Sequence, residues 1–401
     1  MLGKYYKTAT ICVAAAVAAA CGGGGGDDGG PAANQPPPPP PPSATQSGVF
    51  KDANVTGLSY VSGQQSGVTD GNGRYTCETG QSVTFTVGSV ELGSTDCATL
   101  ASPPALVASG ELDDPAAVNM ARFLLMLDGD EDPSNGITIG TDLQAMADSW
   151  QQIDFAAADF ATEVAVQIAD IASVEQRTAA LPASADALAH VEETLSCAYS
   201  GAFVGQLAGS NTGAVAFAFA PRLFGFAEDE FSFQAFDANE EFVLATSGPY
   251  RVAALPSLDS SSFDQTVIVD AGFDTPDSLT GTWSFPPESR SGTLSATRLG
   301  ADTGRYRVTG TFGGTDFAGV LVLDIAANGA ITGEAFEVGE GTSFTIVGEF
   351  DGTNVGLEID GGDETLTAIG FGTIDADGTP ERIDGELSNG GTWRAAGCRL
   401  N

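Results

Sequence analysis

Three carboxylates alternate in the stretch LDGDEDPSNG: Asp128, Asp130 and Asp132, with Ser134 and Asn135 close behind. Calcium needs several oxygens around it, and acids at positions 1, 3 and 5 of a loop fold those oxygens inward. The stretch follows an apolar helical run, so its charges oppose the negative end of a helix dipole, and a cation there would relieve repulsion. Two residues depart from the calcium pattern. Pro133 stands where the loop wants glycine, and Ile139 stands where a bidentate glutamate belongs. A calcium site at Asp128, Asp130 and Asp132 would therefore be partial and completed from elsewhere. The plain alternative is an acidic loop that ends a helix. A second acidic turn, Asp375-Ala376-Asp377-Gly378, is explained by turn chemistry alone.

Other catalytic signals are sparse. His190 is the only histidine and sits in a helical stretch beside Leu188 and Val191. One histidine leaves no basis for a His-ligated zinc or a Ser-His triad elsewhere, and His190 reads as a packed or surface residue. No phosphate loop, nucleophile elbow or dinucleotide fingerprint occurs. Paired carboxylates cut glycosides, but among 53 acidic residues chance pairs are plentiful and none stands out. Trp283 and Trp393 sit at matching points of a faint repeat and read as core or barrel-end anchors rather than a sugar-stacking or apolar-ligand platform. Arg298, Arg382, Arg394 and Arg399 read as partners for acids or as closers of a barrel base.

The 53 acidic residues face only 15 basic ones, a net charge of −38, with lysine confined to positions 4, 7 and 51. Such a surface repels phosphate backbones, so nucleic acid is excluded as a partner. The chain suits a hydrated, acidic protein of a salty exterior. Lys4 and Lys7, an apolar run from Thr8 to Ala20 and small residues before Cys21 form an export signal. The run is too short to span a bilayer. Cys12 would leave with the signal. Cys77, Cys97, Cys197 and Cys398 are an even number, which in an exported chain means two disulfides. Three pairings exist, and domain boundaries favour Cys77–Cys97 and Cys197–Cys398.

Cys21, following Ala18-Ala19-Ala20, resembles the lipobox of bacterial lipoproteins, although Ala18 stands where leucine is usual. That resemblance implies lipidation of Cys21 and a membrane partner through the N-terminal lipid. Gly22 lacks the aspartate that marks inner-membrane retention in enteric lipoproteins, which points to the outer membrane. The acidic loop at Asp128 resembles the opening of EF-hand-like and dockerin-like sites.

The organisation follows from composition. Residues 1–20 are the signal peptide. Residues 21–47 are a Gly/Pro-rich tether that cannot form a core, with an extended polyproline run at Pro36–Pro42. Residues 48–112 alternate, as in Val83-Thr84-Phe85-Thr86-Val87, and carry the turn Asp70-Gly71-Asn72-Gly73. This stretch resembles the carboxypeptidase-regulatory-like, prealbumin-like β-sandwich. Followed by NMARFLLMLDGDEDPSNGITI, it looks like a module at the start of many exported, adhesin-like proteins, typically a spacer or presentation domain. Residues 113–196 read as a helical connector, with helices from Asp114-Pro115 to Asp128, over about 141–150, over about 156–176 and over about 184–195.

Residues 197–401 are Gly-rich, alternating and punctuated by turns. YSGAFVGQL (199–207) echoes YRVTGTFGG (306–314), and SGTLSATRL (291–299) echoes GGTWRAAGCRL (390–400). Two half-barrels stapled by Cys197 and Cys398 would fit this duplication. The expected class is mainly β with a helical connector: a small N-terminal sandwich, helices, and a C-terminal antiparallel barrel or sandwich. The barrel reads as soluble, because its strands are short and acidic and no aromatic girdles recur. The expected function is a non-enzymatic, lipid-anchored surface binding or adhesion module with an unknown surface ligand. The alternative is an exported, carboxylate-dependent hydrolase acting on glycans.

Overall fold

A computed structural model describes residues 43–223, 229–237, 242–260, 266–300, 306–314, 317–361, 365–374 and 380–400. The expected signal peptide, Cys21, nearly all of the tether and the turn at Asp375 lie outside these residues. The architecture is mainly β, with a helical connector and a closed C-terminal barrel.

The chain opens with short strands β1 (Thr45–Phe50), β2 (Val55–Thr56), β3 (Ser59–Ser62), β4 (Gln65–Val68), β5 (Arg74–Glu78), β6 (Ser82–Val87), β7 (Val90–Asp96) and β8 (Leu100–Ala101). They form a three-stranded sheet, β5-β1-β8, and a four-stranded sheet, β4-β3-β6-β7. In β6, Val83, Phe85 and Val87 are fully buried while the intervening threonines are half exposed, the period-2 pattern of a strand with one face on a core. The turn before β5 is held by Asp70, whose Oδ1 accepts the backbone N–H of Asn72 at 2.9 Å and of Arg74 at 3.0 Å. Gly73 takes a φ of +69°, which its missing Cβ permits. Cys77 is joined to Cys97, with Cα atoms 5.5 Å apart.

Helix α1 (Pro115–Leu127) starts where Asp114 accepts the N–H of Ala116 at 2.9 Å and Pro115 fills the first turn. Its Phe123, Leu124 and Leu127 share one core with Phe50 and Phe85 of the sheets. β9 (Ile137–Thr138) pairs with β2, and α2 (Thr141–Ala147) follows. The stretch expected as one helix over 156–176 is two, α3 (Phe160–Glu163) and α4 (Ala165–Glu175). Val164 leaves helical geometry, at φ −99° and ψ 11°, and is fully buried in the core that also takes Phe160. Helix α5 (Ser184–Tyr199) extends past the expected end. Tyr199 is buried and donates its hydroxyl to Ala254 O at 2.6 Å, which holds the last turn.

Two eight-stranded sheets follow. The first comprises β10 (Gly201–Gly209), β11 (Gly213–Pro221), β12 (Asp229–Asp237), β13 (Phe242–Pro249), β14 (Ser257–Asp259), β15 (Ile268–Thr275), β16 (Ser278–Phe285) and β17 (Arg290–Arg298). The second comprises β18 (Tyr306–Gly313), β19 (Ala318–Ile325), β20 (Ala330–Glu337), β21 (Thr342–Phe350), β22 (Asn354–Asp360), β23 (Thr365–Ile374), β24 (Pro380–Leu387) and β25 (Thr392–Arg399). In each, first and last strands pair: β10 with β17, and β18 with β25. The second sheet is a closed barrel. The first runs β13-β12-β11-β10-β17-β16-β15-β14, and between its ends the described residues show one bridge, Arg251 to Ser257.

The duplication is therefore two complete eight-stranded units and not two half-barrels. Eight strands suffice to enclose side chains around a single axis. Each unit accordingly fills its own interior, one with Phe203, Phe217, Phe219, Phe231 and Phe233, the other with Leu321, Leu323, Ile346 and Leu357. Trp283 and Trp393 do not occupy matching points. Trp283 lies on the seventh strand of its unit and Trp393 on the eighth of the other, both buried. Trp393 fills space that glycine leaves: a Cβ on Gly370 would lie 2.6 Å from its indole ring.

Strand β11 explains how the units meet. Its sequence GAVAFAFAP is apolar at nearly every position, the mark of a strand buried on both faces. Phe217 and Phe219 enter the first unit's interior, while Ala216, Ala218 and Ala220 pack outward on Val320, Val322 and Ala396 of the barrel. The small alanine side chains let the two outer walls approach closely. Cys197, at the end of α5, is joined to Cys398 on β25, with Cα atoms 5.4 Å apart.

Candidate binding groove

Beyond the line of contact through β11, the two outer walls separate. A groove of about 1460 Å³ opens between the outward faces of β12–β13 and of β18, β23, β24 and β25. Antiparallel partners directly opposite each other face the same side of a sheet, so the pairing register fixes what each wall presents. On the barrel wall, Phe371, Asp384, Arg394 and Thr311 form one cross-strand row. Ile369, Glu386, Thr392 and Gly313 form the next. All eight line the groove.

The apolar members of these rows are open to solvent. Ile369 is 61% and Phe371 67% exposed, high for residues of their size, while their neighbours Ala368 and Gly370 point inward. The polar members are organised. Asp384 accepts from Arg382 Nε and Arg394 Nε, each at 2.7 Å, and from Arg382 Nη2 at 3.2 Å. Partial burial works against the charged carboxylate, but the hydrogen bonds and fields of the two guanidiniums outweigh it and hold Asp384 below the usual carboxylate range.

The opposite wall is neutral and polar. Ser232 and Gln234 of β12 face outward yet are 6% and 8% exposed, because the barrel covers them. Ser247 of β13 completes this side. Gln234 Oε1 is buried and has no donor among the described residues. A buried acceptor left without a donor is costly, and it is satisfied when something carrying an O–H or N–H enters.

The residues singled out by sequence lie elsewhere. Asp128, Asp130 and Asp132 are at the end of α1, and among the described residues no three acidic, histidine or cysteine groups are arranged to hold a metal. Asp130 accepts from Asp132 N at 3.1 Å and Asn135 Nδ2 at 3.0 Å, and Asp132 accepts from Ser134 Oγ at 2.6 Å. Asp128 accepts from Thr138 N at 2.9 Å; burial, opposed by that bond and reinforced by Asp130, pushes its carboxyl up to about 6. Positive charge at this helix end comes from Arg177, which donates to Met126 O at 2.8 Å and pairs with Glu175 and Glu131 at 2.6 and 3.0 Å. Its distance along the chain hid this role from sequence reading.

His190 faces Asp52, Nε2 to Oδ1 3.4 Å. Asp52 is fully buried, which pushes its carboxyl up to about 6 against the opposing field of His190. Neither residue lines the groove. The groove residues carried a weak signal in sequence: TLTAIGFGTI alternates large apolar residues with Ala and Gly, which reads equally as either face inward.

No family model and no curated protein matches the chain. Solved structures share a partial likeness. HpuA from Kingella denitrificans, in complex with human haemoglobin, is 13% identical over 49% of this chain and 87% of that one, with a TM-score of 0.17. Kievitone hydratase from Nectria haematococca is 10% identical over 50% and 90%, with a TM-score of 0.20. A transferrin binding protein B from Haemophilus parasuis is 10% identical over 47% and 54%, with a TM-score of 0.18. At these TM-scores the likeness transfers neither a ligand nor a reaction to this protein.

Proposed function

We propose that this chain is a lipid-anchored, non-enzymatic binding protein of the cell envelope, holding its ligand in the groove between its two eight-stranded units. The groove carries the reading: it joins a solvent-exposed apolar pair, an ordered ion network and a buried acceptor that lacks a donor among the described residues. Two disulfides support an oxidising compartment. The anchor rests on the lipobox-like Cys21, with the tether and the small N-terminal sheets serving as spacer between membrane and groove. The outer membrane is the proposed location.

One observation favours the hydrolase reading. Asp384 and Glu386 share a face of β24 and both line the groove, and glycosidases act through a pair of carboxyls. A general acid needs a raised pKa, however, and Asp384 is clamped as an anion by Arg382 and Arg394. Binding without bond cleavage is the better supported reading.

Two experiments test it. Metabolic labelling with a fatty-acid analogue should mark the wild type and not Cys21→Ser, and protease added to whole cells should release the folded portion. An unlabelled wild type removes the anchor. Separately, hydroxyl-radical footprinting of the full chain should show Ile369 and Phe371, which are exposed in the free protein, protected when a soluble cell-surface polymer extract is added; an unprotected pair removes the site.

A further inference from the structure

We infer that the groove takes a neutral, extended, polyhydroxylated chain, that is, a segment of an uncharged oligosaccharide or polysaccharide. This rests on the reading of the groove as a binding site.

Size comes first. At about 1460 Å³ the space exceeds the roughly 300–1000 Å³ of a compact small-molecule pocket, so an elongated ligand fits it better. Charge comes second. The protein carries −38, yet the barrel wall is nearly balanced: Arg394 lines the groove with Asp384 and Glu386, and Arg382, outside the lining, donates to Asp384 as well. Two of the chain's few basic residues are spent there on neutralising a carboxylate. A wall built in this way selects neither a polycation nor a polyanion.

Chemistry comes third. Phe371 and Ile369 alternate along β23, and each lies directly across from a carboxylate on β24, Phe371 from Asp384 and Ile369 from Glu386. An apolar surface edged by acceptors matches a sugar ring, which has a C–H face and a rim of hydroxyl donors. The facing wall offers the Ser232 and Ser247 hydroxyls and Gln234, whose buried Oε1 has no donor among the described residues. A hydroxyl supplies that donor without bringing charge. A peptide strand is disfavoured at the barrel wall, because β23 and β24 are interior to a closed barrel and their backbone groups are paired on both sides.

The test uses the full mature chain in detergent. Affinity electrophoresis is run against uncharged polymers (β-glucan, xylan, galactomannan, dextran), against alginate as a polyanion, and against polylysine. Retardation by an uncharged polymer is expected, with titration calorimetry on its hexasaccharide showing binding at least about tenfold weaker in Phe371→Ser and in Gln234→Ala. Ile369→Ser and Phe371→Ser alter exposed side chains, so an unchanged melting curve separates lost binding from lost fold. Polylysine bound in a Phe371-dependent way overturns the sugar class and leaves the groove as a site. Sugar bound equally by wild type and all three variants overturns the groove. No retardation by any uncharged polymer overturns the sugar class.

Discussion

Arg298 and Arg307, one from each eight-stranded unit, both donate to the carbonyl oxygen of Ser200, just past the end of α5. Arg298 also donates to Ala198 O at 3.0 Å and to Asp277 at 2.9 Å, with its guanidinium 4.9 Å from the ring centre of Phe203. Burial lowers the pKa of both arginines, and for Arg307 the charge of Arg298 adds to the effect. The opposing charges of Asp277 and Asp324, together with the carbonyls and partial negative charge of the helix C-terminus, make two like charges tolerable at this point. One helix end thereby ties the connector to both units.

This shared acceptor predicts coupling. Arg298→Met and Arg307→Met should each cost about 2–4 kcal/mol, the loss expected for a buried charged hydrogen bond. The double variant should lose more than the sum, because each single already relieves the mutual repulsion, which the double can relieve only once, and because the Ser200 carbonyl keeps one arginine donor in each single and neither in the double. Urea denaturation of the four proteins checks this, and strict additivity would contradict it.

Asp52 predicts a pH dependence of stability. Its folded pKa, about 6, lies above the ordinary aspartate value of 3.8, so the folded state holds the proton more tightly. Its contribution is fully present below pH 4 and is lost as pH rises to about 6. Asp52→Asn should therefore flatten the stability profile between those values and raise stability at pH 7, by at most about 3 kcal/mol. Asp128 titrates in the same direction, so some slope remains. Denaturant midpoints at four pH values decide the matter.

The Cys197–Cys398 link closes a loop of 201 residues. Replacing both cysteines with alanine should cost up to about 5 kcal/mol through the restored freedom of the unfolded chain. Calorimetry should show a lower melting temperature, and reductant, which opens both links, should lower that of the wild type further. The Cys77–Cys97 link closes a loop of 20 residues and should matter less.

Gly370 and Trp393 predict an overpacking defect. Gly370→Ala drives a methyl group toward the indole and should cost about 1–3 kcal/mol. A changed emission maximum for Trp393 would accompany it; an unaltered spectrum and melt would mean that the barrel yields freely.

The calcium expectation for Asp128, Asp130 and Asp132 has its own check. Occupancy raises the melting temperature in millimolar calcium above that in chelator, and Asp128→Asn abolishes the difference. Identical melts reject the site.

Local signals were legible because they are local. Alternation in Val83–Val87, the Asp114-Pro115 helix start and the doubly apolar run in β11 each follow from a few adjacent residues and one face to bury. The class, mainly β with helices between, was decided at that level. Contacts distant in sequence were not. Whether Ile369 and Phe371 face in or out depends on Trp393 filling the barrel from another strand. That two units of eight strands form, rather than halves of one, depends on which strand closes on which. The groove exists only because alanines on β11 seat one curved wall on another and the curvature then parts them, and no single stretch of chain encodes the space between two surfaces.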